Sequence, residues 1–301
     1  MHVAGKQMPR WAYTAGRLAR LRVGIVSWTA TYWPYYVGLS EGVFGQAGLE
    51  VDLVTLGTTA AGVAALLDER VDIAATCPDA VVEAATQGQP LRVAGGLIDR
   101  PVSSVVAARD IDTVEALRGR RLAVTDLRGS VSIVLRAFLR ARGLERGDYE
   151  QVVIGTTPAQ VAALEAGEID AAMLTHPFEA PLLARGFRRL GRVGDEVGAC
   201  AFTTLNVRAG FQLGPVWEAL RRVDEILYRP SQRPRVLASL AEATRLPEAA
   251  LHEAAQLYLN QGNVLARGGR LDRVGFQRLL DLMRADGLAV FPPGEEARYQ
   301  N

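Results

Sequence analysis

Five short stretches carry side chains able to bind or react: Trp28-Thr29-Ala30-Thr31-Tyr32-Trp33-Pro34, Gly57-Thr58-Thr59, Thr76-Cys77-Pro78-Asp79, Asp126-Leu127-Arg128-Gly129-Ser130 and Thr175-His176-Pro177-Phe178-Glu179. The first concentrates aromatic faces and hydroxyls, the make-up of a small-molecule pocket, with Trp28, Thr31 and Tyr32 as its candidate contacts; anchoring the loop to the core is the other use for its tryptophans. Thr58, and Gly129 followed by Ser130, precede helix-type runs, where free backbone N–H groups can hold an anionic oxygen. Plain helix capping explains Thr58 as well. Thr76 and Asp79 stand together; Pro78 suits a first helical turn and Asp79 suits the positive end of a helix dipole, with or without a ligand. His176 and Glu179 could move a proton, but no nucleophile stands beside them. No catalytic residue is assigned, and His176 and Glu179 are taken as pocket-lining candidates.

These stretches share a place in the pattern. Apolar runs rich in Val and Ile (Leu21–Ser27, Leu49–Leu56, Val71–Thr76) alternate with helix-type spacing at Tyr35–Phe44 and Ala60–Glu69, predicting successive βαβ units and a parallel sheet buried on both faces. In such sheets ligands bind beyond the carboxyl ends of the strands, where the candidate loops fall. A fourth strand at Leu91–Leu97 and an apolar run at Ser103–Ala108 follow, with the crossing into a second lobe placed near Ala107–Asp112. The pattern then restarts with strands at Arg121–Thr125, Gln151–Ile154 and Ile169–Leu174 and helices at Ser130–Arg142 and Val161–Ala166. Phe187–Arg192 and Ala199–Val207 read as the last strands. From Val216 onward the spacing is helical, in a block suited to bracing a hinge.

Composition removes several function classes. The 34 basic and 33 acidic residues leave a formal charge of +1, so no global field favours nucleic acid or an anionic membrane. Lys6 is the only lysine, which excludes Schiff-base chemistry, a pyridoxal-phosphate anchor and a phosphate-loop lysine. Cys77 and Cys200 are too few for a disulfide framework or a zinc cluster, and His2, His176 and His252 fit no metal-ligand spacing. No cofactor and no metal are expected. Residues 1–20 are basic and lack an apolar h-region, so they read as a tail rather than a secretion signal; the chain as written is expected in the cytoplasm, or outside it if an export signal lies beyond the given sequence.

Several segments carry a resemblance: Gly38…Glu41-Gly42-Val43-Phe44…Ala47-Gly48-Leu49-Glu50-Val51, then Ala64…Leu67…Arg70-Val71-Asp72-Ile73-Ala74, Leu117-Arg118-Gly119-Arg120-Arg121-Leu122-Ala123-Val124, and Ala163-Leu164-Glu165-Ala166-Gly167-Glu168-Ile169-Asp170-Ala171. In combination, across roughly residues 21–205, this order resembles the solute-binding proteins of nitrate/sulfonate/taurine-type ABC transporters, a group related to thiamine-pyrimidine precursor binders. The resemblance implies an α/β, type II periplasmic-binding-protein fold: two α/β lobes, a hinge, and a helical C-terminal block. Lobe 1 would take residues 21–108 and 206–301, and lobe 2 residues 109–205. It also implies a ligand in the interlobe cleft, met by Trp28, Thr31, Tyr32, Thr58, Thr76, Gly129, Ser130 and His176, while Asp72 and Asp170, at matching sites before strands, are scaffold.

Two functions follow. A monomeric binding protein would close around one small organic solute, anionic or aromatic, and hand it to an ABC permease. An enzyme on the same fold would use His176, Glu179 or Asp79 for proton transfer on an aromatic or heterocyclic acid. The lysine-bound cofactor, the histidine and the cysteine-rich motif of the related pyrimidine synthases are missing from this sequence.

Overall fold

The structure is a computed structural model that describes residues 18–260 and 264–300. Residues 1–17 of the expected tail lie outside the described residues; Ala19 and Arg20, assigned to the same tail, already belong to the first strand.

The chain opens as β1 (Ala19–Ile25), α1 (Trp33–Ser40), α2 (Val43–Gln46), β2 (Leu49–Thr55), α3 (Thr59–Leu67), β3 (Ile73–Thr76), α4 (Asp79–Thr86) and β4 (Leu91–Ile98). Gly42 and Gly48, at φ of +67° and +77°, make the left-handed turns that end α1 and aim the chain into β2. The second run is β5 (Ser104–Ala107), β6 (Arg121–Val124), α5 (Ser130–Ala141), β7 (Glu150–Val153), α6 (Thr157–Glu165), β8 (Ala171–Leu174), α7 (Ala180–Ala184), β9 (Arg188–Arg192) and α8 (Val193–Val197). After β10 (Thr203–Arg208) come α9 (Gly214–Leu227), α10 (Arg233–Thr244), α11 (Glu248–Ala255), which runs on as one π-helical turn to Asn260, and α12 (Arg273–Ala285).

The strands form two five-stranded sheets, ordered β2-β1-β3-β10-β4 and β7-β6-β8-β5-β9. This is the two-lobed α/β architecture with a helical C-terminal block that the sequence implies. Each sheet is mixed rather than wholly parallel. β1 runs parallel to β2 and β3, and β6 parallel to β7 and β8, whereas β10 and β5 are antiparallel to their neighbours. β10 and β5 are the strands that follow a passage from the other sheet, so no helical crossover fixes their direction. Since β5 pairs with β8 and β9, the chain leaves the first sheet at residues 99–103, upstream of the expected crossing at Ala107–Asp112. An apolar strand looks the same whichever sheet it joins, which is why periodicity misplaced it.

Matching side chains stitch the two sheets internally. Asp72, just before β3, accepts the backbone N–H of Arg22 in β1 at 2.8 Å; Asp170, just before β8, accepts that of Arg121 in β6 at 2.7 Å. Both aspartates are therefore scaffold. In the first sheet the buried Asn206 amide of β10 donates to the Ala74 and Thr76 carbonyls of β3 at 3.0 and 3.2 Å. The C-terminal helices are fixed to helices of both halves: Trp33 of α1, wholly buried, donates its indole N–H to the Val236 carbonyl of α10 at 2.8 Å, and Arg136 of α5 holds Asp286 at the end of α12.

Candidate functional site

The candidate loops lie where strand ends meet helix starts, and the fold makes them unequal. Trp28 is 46% exposed, stacks on Tyr36 with ring centroids 5.6 Å apart, and donates its indole N–H to the Thr55 hydroxyl at 3.2 Å. Its neighbours turn inward. Tyr32 is buried, with its hydroxyl accepting the Val26 N–H at 3.0 Å, and Thr31 is half-buried. Thr58 accepts the Ala61 N–H at 3.1 Å, the plain capping role the sequence left open. Thr76 is buried and accepts from the Asn206 amide at 3.2 Å, so its hydroxyl is committed to the first sheet.

Two of the candidates meet directly. Asp79 at the first turn of α4 and Ser130 at the first turn of α5, one from each sheet's half of the chain, are both buried, and the Ser130 hydroxyl donates to Asp79 Oδ1 at 2.5 Å. A second pair runs beside it, Arg128 donating to Glu83 of α4 at 2.7 Å. Asp126 shapes this turn by accepting the N–H groups of Arg128 and Gly129. A Cβ at Gly129 would come 2.7 Å from an Asp126 oxygen, so the approach of backbone to carboxylate is what requires glycine there. Burial raises the Asp79 pKa to about 6 against the opposing pull of Ser130, with Asp126 adding to the rise.

His176 and Glu179 are wholly buried and belong to a different cluster. The His176 Nε2 lies 3.1 Å from the Ala250 carbonyl. A carbonyl only accepts, so Nε2 carries the proton and Nδ1 faces Glu179 at 3.8 Å and Glu253 of α11 at 3.9 Å. Arg189 stands 3.7 Å from Glu179 and 3.5 Å from Glu253, and Arg192 stands 3.8 Å from Glu253. Burial alone would lower the imidazole pKa, but Glu179, the Ala250 carbonyl and Glu253 together raise it above its ordinary value. Glu253, Arg189 and Arg192 escape sequence reasoning, since nothing in the spacing links α11 to β9 or to the loop after β8.

Both cysteines are free. Burial pushes the Cys200 thiol up to about 12, and burial followed by the Asp79 charge raises that of Cys77, so neither is a thiolate nucleophile. A cavity of about 810 Å³ lies elsewhere, behind the first sheet between α9 and residues 267–273, and contains none of the sequence-derived candidates.

Residues 29–208 match the family model described as NMT1/THI5 like. No curated protein sequence matches the chain. Among solved structures, the alkanesulfonate-binding protein SsuA from Xanthomonas axonopodis pv. citri, bound to MOPS, superposes with a TM-score of 0.66 at 21% identity, covering 80% of this chain and 84% of its own. The periplasmic aliphatic sulphonate-binding protein SsuA from Escherichia coli gives 0.65 at 22%, covering 79% and 82%. The periplasmic nitrate-binding protein NrtA from Synechocystis PCC 6803 gives 0.72 at 13%, covering 93% and 84%. At these identities the likeness establishes the fold, that of ABC-type solute-binding proteins.

Proposed function

Because the chain belongs to the NMT1/THI5-like family, we propose that it captures one small organic solute between its two sheets and delivers it to an ABC-type permease. The observation that carries this reading is the buried Asp79–Ser130 bond, which joins the start of α4 to the start of α5 and so links the two halves of the molecule at their facing loop ends. The Arg128–Glu83 pair does the same nearer to solvent. A molecule that touches both sides adds to these contacts, offsets the cost of ordering the closed arrangement, and shifts the population toward it. Delivery to a permease implies work outside the cytoplasmic membrane, and two of the structural relatives, the Escherichia coli sulphonate-binding protein and the Synechocystis nitrate-binding protein, are periplasmic. Among the described residues no helix is long and apolar enough to cross a membrane.

Of the two ligand characters that the sequence allows, anionic and aromatic, the geometry favours the aromatic one. The N-terminal end of α5 is where an anion would be received, and the Asp79 carboxylate already sits there on the Ser130 hydroxyl. A sulfonate or nitrate at that point would meet a buried like charge. Trp28 stacked on Tyr36 offers an aromatic face instead.

The reading is tested by thermal-shift and calorimetric titration of a panel of heteroaromatic and anionic solutes. A heteroaromatic compound is expected to stabilise the protein without being turned over. Trp28→Ala and Ser130→Ala should each weaken its binding by roughly tenfold or more, the loss of one aromatic stack or one buried hydrogen bond. Unchanged affinity in both variants would remove the assigned site. Conversely, Asp79→Ser should admit methanesulfonate at least tenfold more tightly than the parent protein; equal affinity would show that Asp79 does not exclude anions.

A further inference from the structure

The cluster around His176 has an unbalanced hydrogen-bond inventory. His176 and Glu179 are wholly buried, yet the His176 Nδ1 and both Glu179 oxygens have no hydrogen-bond partner among the described residues. The 3.8 and 3.9 Å separations from Nδ1 to Glu179 and Glu253 are too long for hydrogen bonds. With the Nε2 proton given to the Ala250 carbonyl, Nδ1 is turned toward two carboxylates, which favour a positive charge at that point, either a proton on the ring or a bound cation. With the ring proton displaced, one imidazole nitrogen and two carboxylates converge on one point between buried His176 and Glu179 and partly exposed Glu253, a donor set for a cation.

We propose that His176 Nδ1, Glu179 and Glu253 form a three-ligand site for one divalent transition-metal ion of the zinc class. The three ligand atoms lie within 4.8 Å of one another. Tetrahedral bonds of about 2.0–2.2 Å place neighbouring ligands about 3.3–3.6 Å apart, so the 3.8 and 3.9 Å edges from Nδ1 need to contract by a few tenths of an ångström and the Glu179–Glu253 edge, bounded at 4.8 Å, by up to about 1.5 Å. Glu253, 36% exposed, has room to supply that movement. The donor set of one imidazole and two carboxylates suits zinc and leaves a fourth position for water. The Nε2–H bond to the Ala250 carbonyl is the outer contact that fixes a metal-bound histidine's tautomer and orientation.

Arg189 and Arg192 answer the question of charge. They approach the two carboxylates only at 3.5–3.8 Å, their Nε atoms are unpartnered, and their side chains are 28% and 26% exposed. In the metal-free protein they balance the two acids. An incoming dication takes over that balance, and the guanidinium groups withdraw to solvent. The arginines thus compete with the metal, and that competition separates a metal site from a structural ion-pair network.

The experiment uses the whole chain, freed of metal with chelator, and titrates it with Zn²⁺ by calorimetry and with Co²⁺ by visible absorption, with no organic solute present. One equivalent is expected to bind, with a tetrahedral Co²⁺ absorption band. Glu253→Gln, a change at a half-buried position that leaves folding intact, should weaken Zn²⁺ by at least a hundredfold, and His176→Gln should do the same wherever it folds. Arg189→Gln should tighten Zn²⁺ by roughly tenfold, whereas the loss of a structural ion pair would leave it unchanged. Absence of stoichiometric binding, or equal binding in the parent and Glu253→Gln proteins, would overturn the site. Solute capture is measured separately, so its outcome stands apart from this one.

Discussion

Replacing Arg136 with alanine is expected to cost about 3–5 kcal/mol of folding stability, which in a chain of this size lowers Tm by roughly 10 °C. Arg136 sits on α5 with its side chain 3% exposed, donates through Nε to Asp286 at 2.8 Å, and donates through a second nitrogen to the Gln151 side chain at 3.0 Å and the Leu127 carbonyl at 3.1 Å. Alanine removes the hydrogen-bonding donors of the Asp286 carboxylate, 6% exposed at the end of α12, and leaves it only the Arg140 guanidinium at 4.0 Å. The penalty comes from that buried and poorly compensated charge more than from the bond itself, so Arg136→Met with Asp286→Leu should recover most of the loss. Chemical denaturation of the two variants checks both statements. A single variant within 1 kcal/mol of the parent would mean that the pair carries no buried charge. The Leu127 bond links this pair to the turn that presents Ser130, so the single variant should also weaken solute capture.

The second large effect is a pH dependence centred on Asp79. Its carboxyl titrates at about 6 in the folded protein, above the ordinary value of 3.8, chiefly because it is buried. A group whose folded pKa is raised contributes stability in full below its unfolded pKa, and that contribution is lost as pH rises through the folded pKa. For Asp79 the window therefore runs from about pH 4 to just above pH 6, and a rise of about two units corresponds to a contribution on the order of 3 kcal/mol. Asp79→Asn keeps an oxygen for the Ser130 hydroxyl but cannot ionise. It is expected to match the parent at pH 4 and to exceed it in stability at pH 7.5. Asp99 and Asp224, raised by burial to about 7 and about 6, contribute in the same direction to both proteins and cancel in the comparison. Stability curves that run parallel across this range would refute the assignment.

The pattern of elements was legible because βαβ periodicity is local. Runs such as Leu49–Leu56 and Ser130–Arg142 differ from β2 and α5 by a residue, and the helical reading from Val216 onward meets α9, α10, α11 and α12 in order. Sheet membership was not legible, since Ser103–Ala108 has the same apolar character in either sheet. Within the site, local chemistry identified Asp79 and Ser130 individually, but not their bond, which spans 51 residues. The tryptophans divide in the same way. Composition placed Trp28 and Trp33 in one loop, and only the packing of α10 decided that Trp33 is core while Trp28 keeps an exposed face. Glu253 lay beyond reach altogether, because an acid on an amphipathic helix looks solvated until another strand's arginines are found beside it.

The placement of β10 between β3 and β4 carries a consequence for how the chain is made. As synthesis proceeds from the amino terminus, β4 emerges from the ribosome with no hydrogen-bonded neighbour in its own sheet, and it stays so until Thr203–Arg208 has been added. All five strands of the other sheet are complete before then. The nascent protein must therefore carry an unfinished sheet edge through the addition of about a third of its length, the kind of edge that chaperones cover during translation.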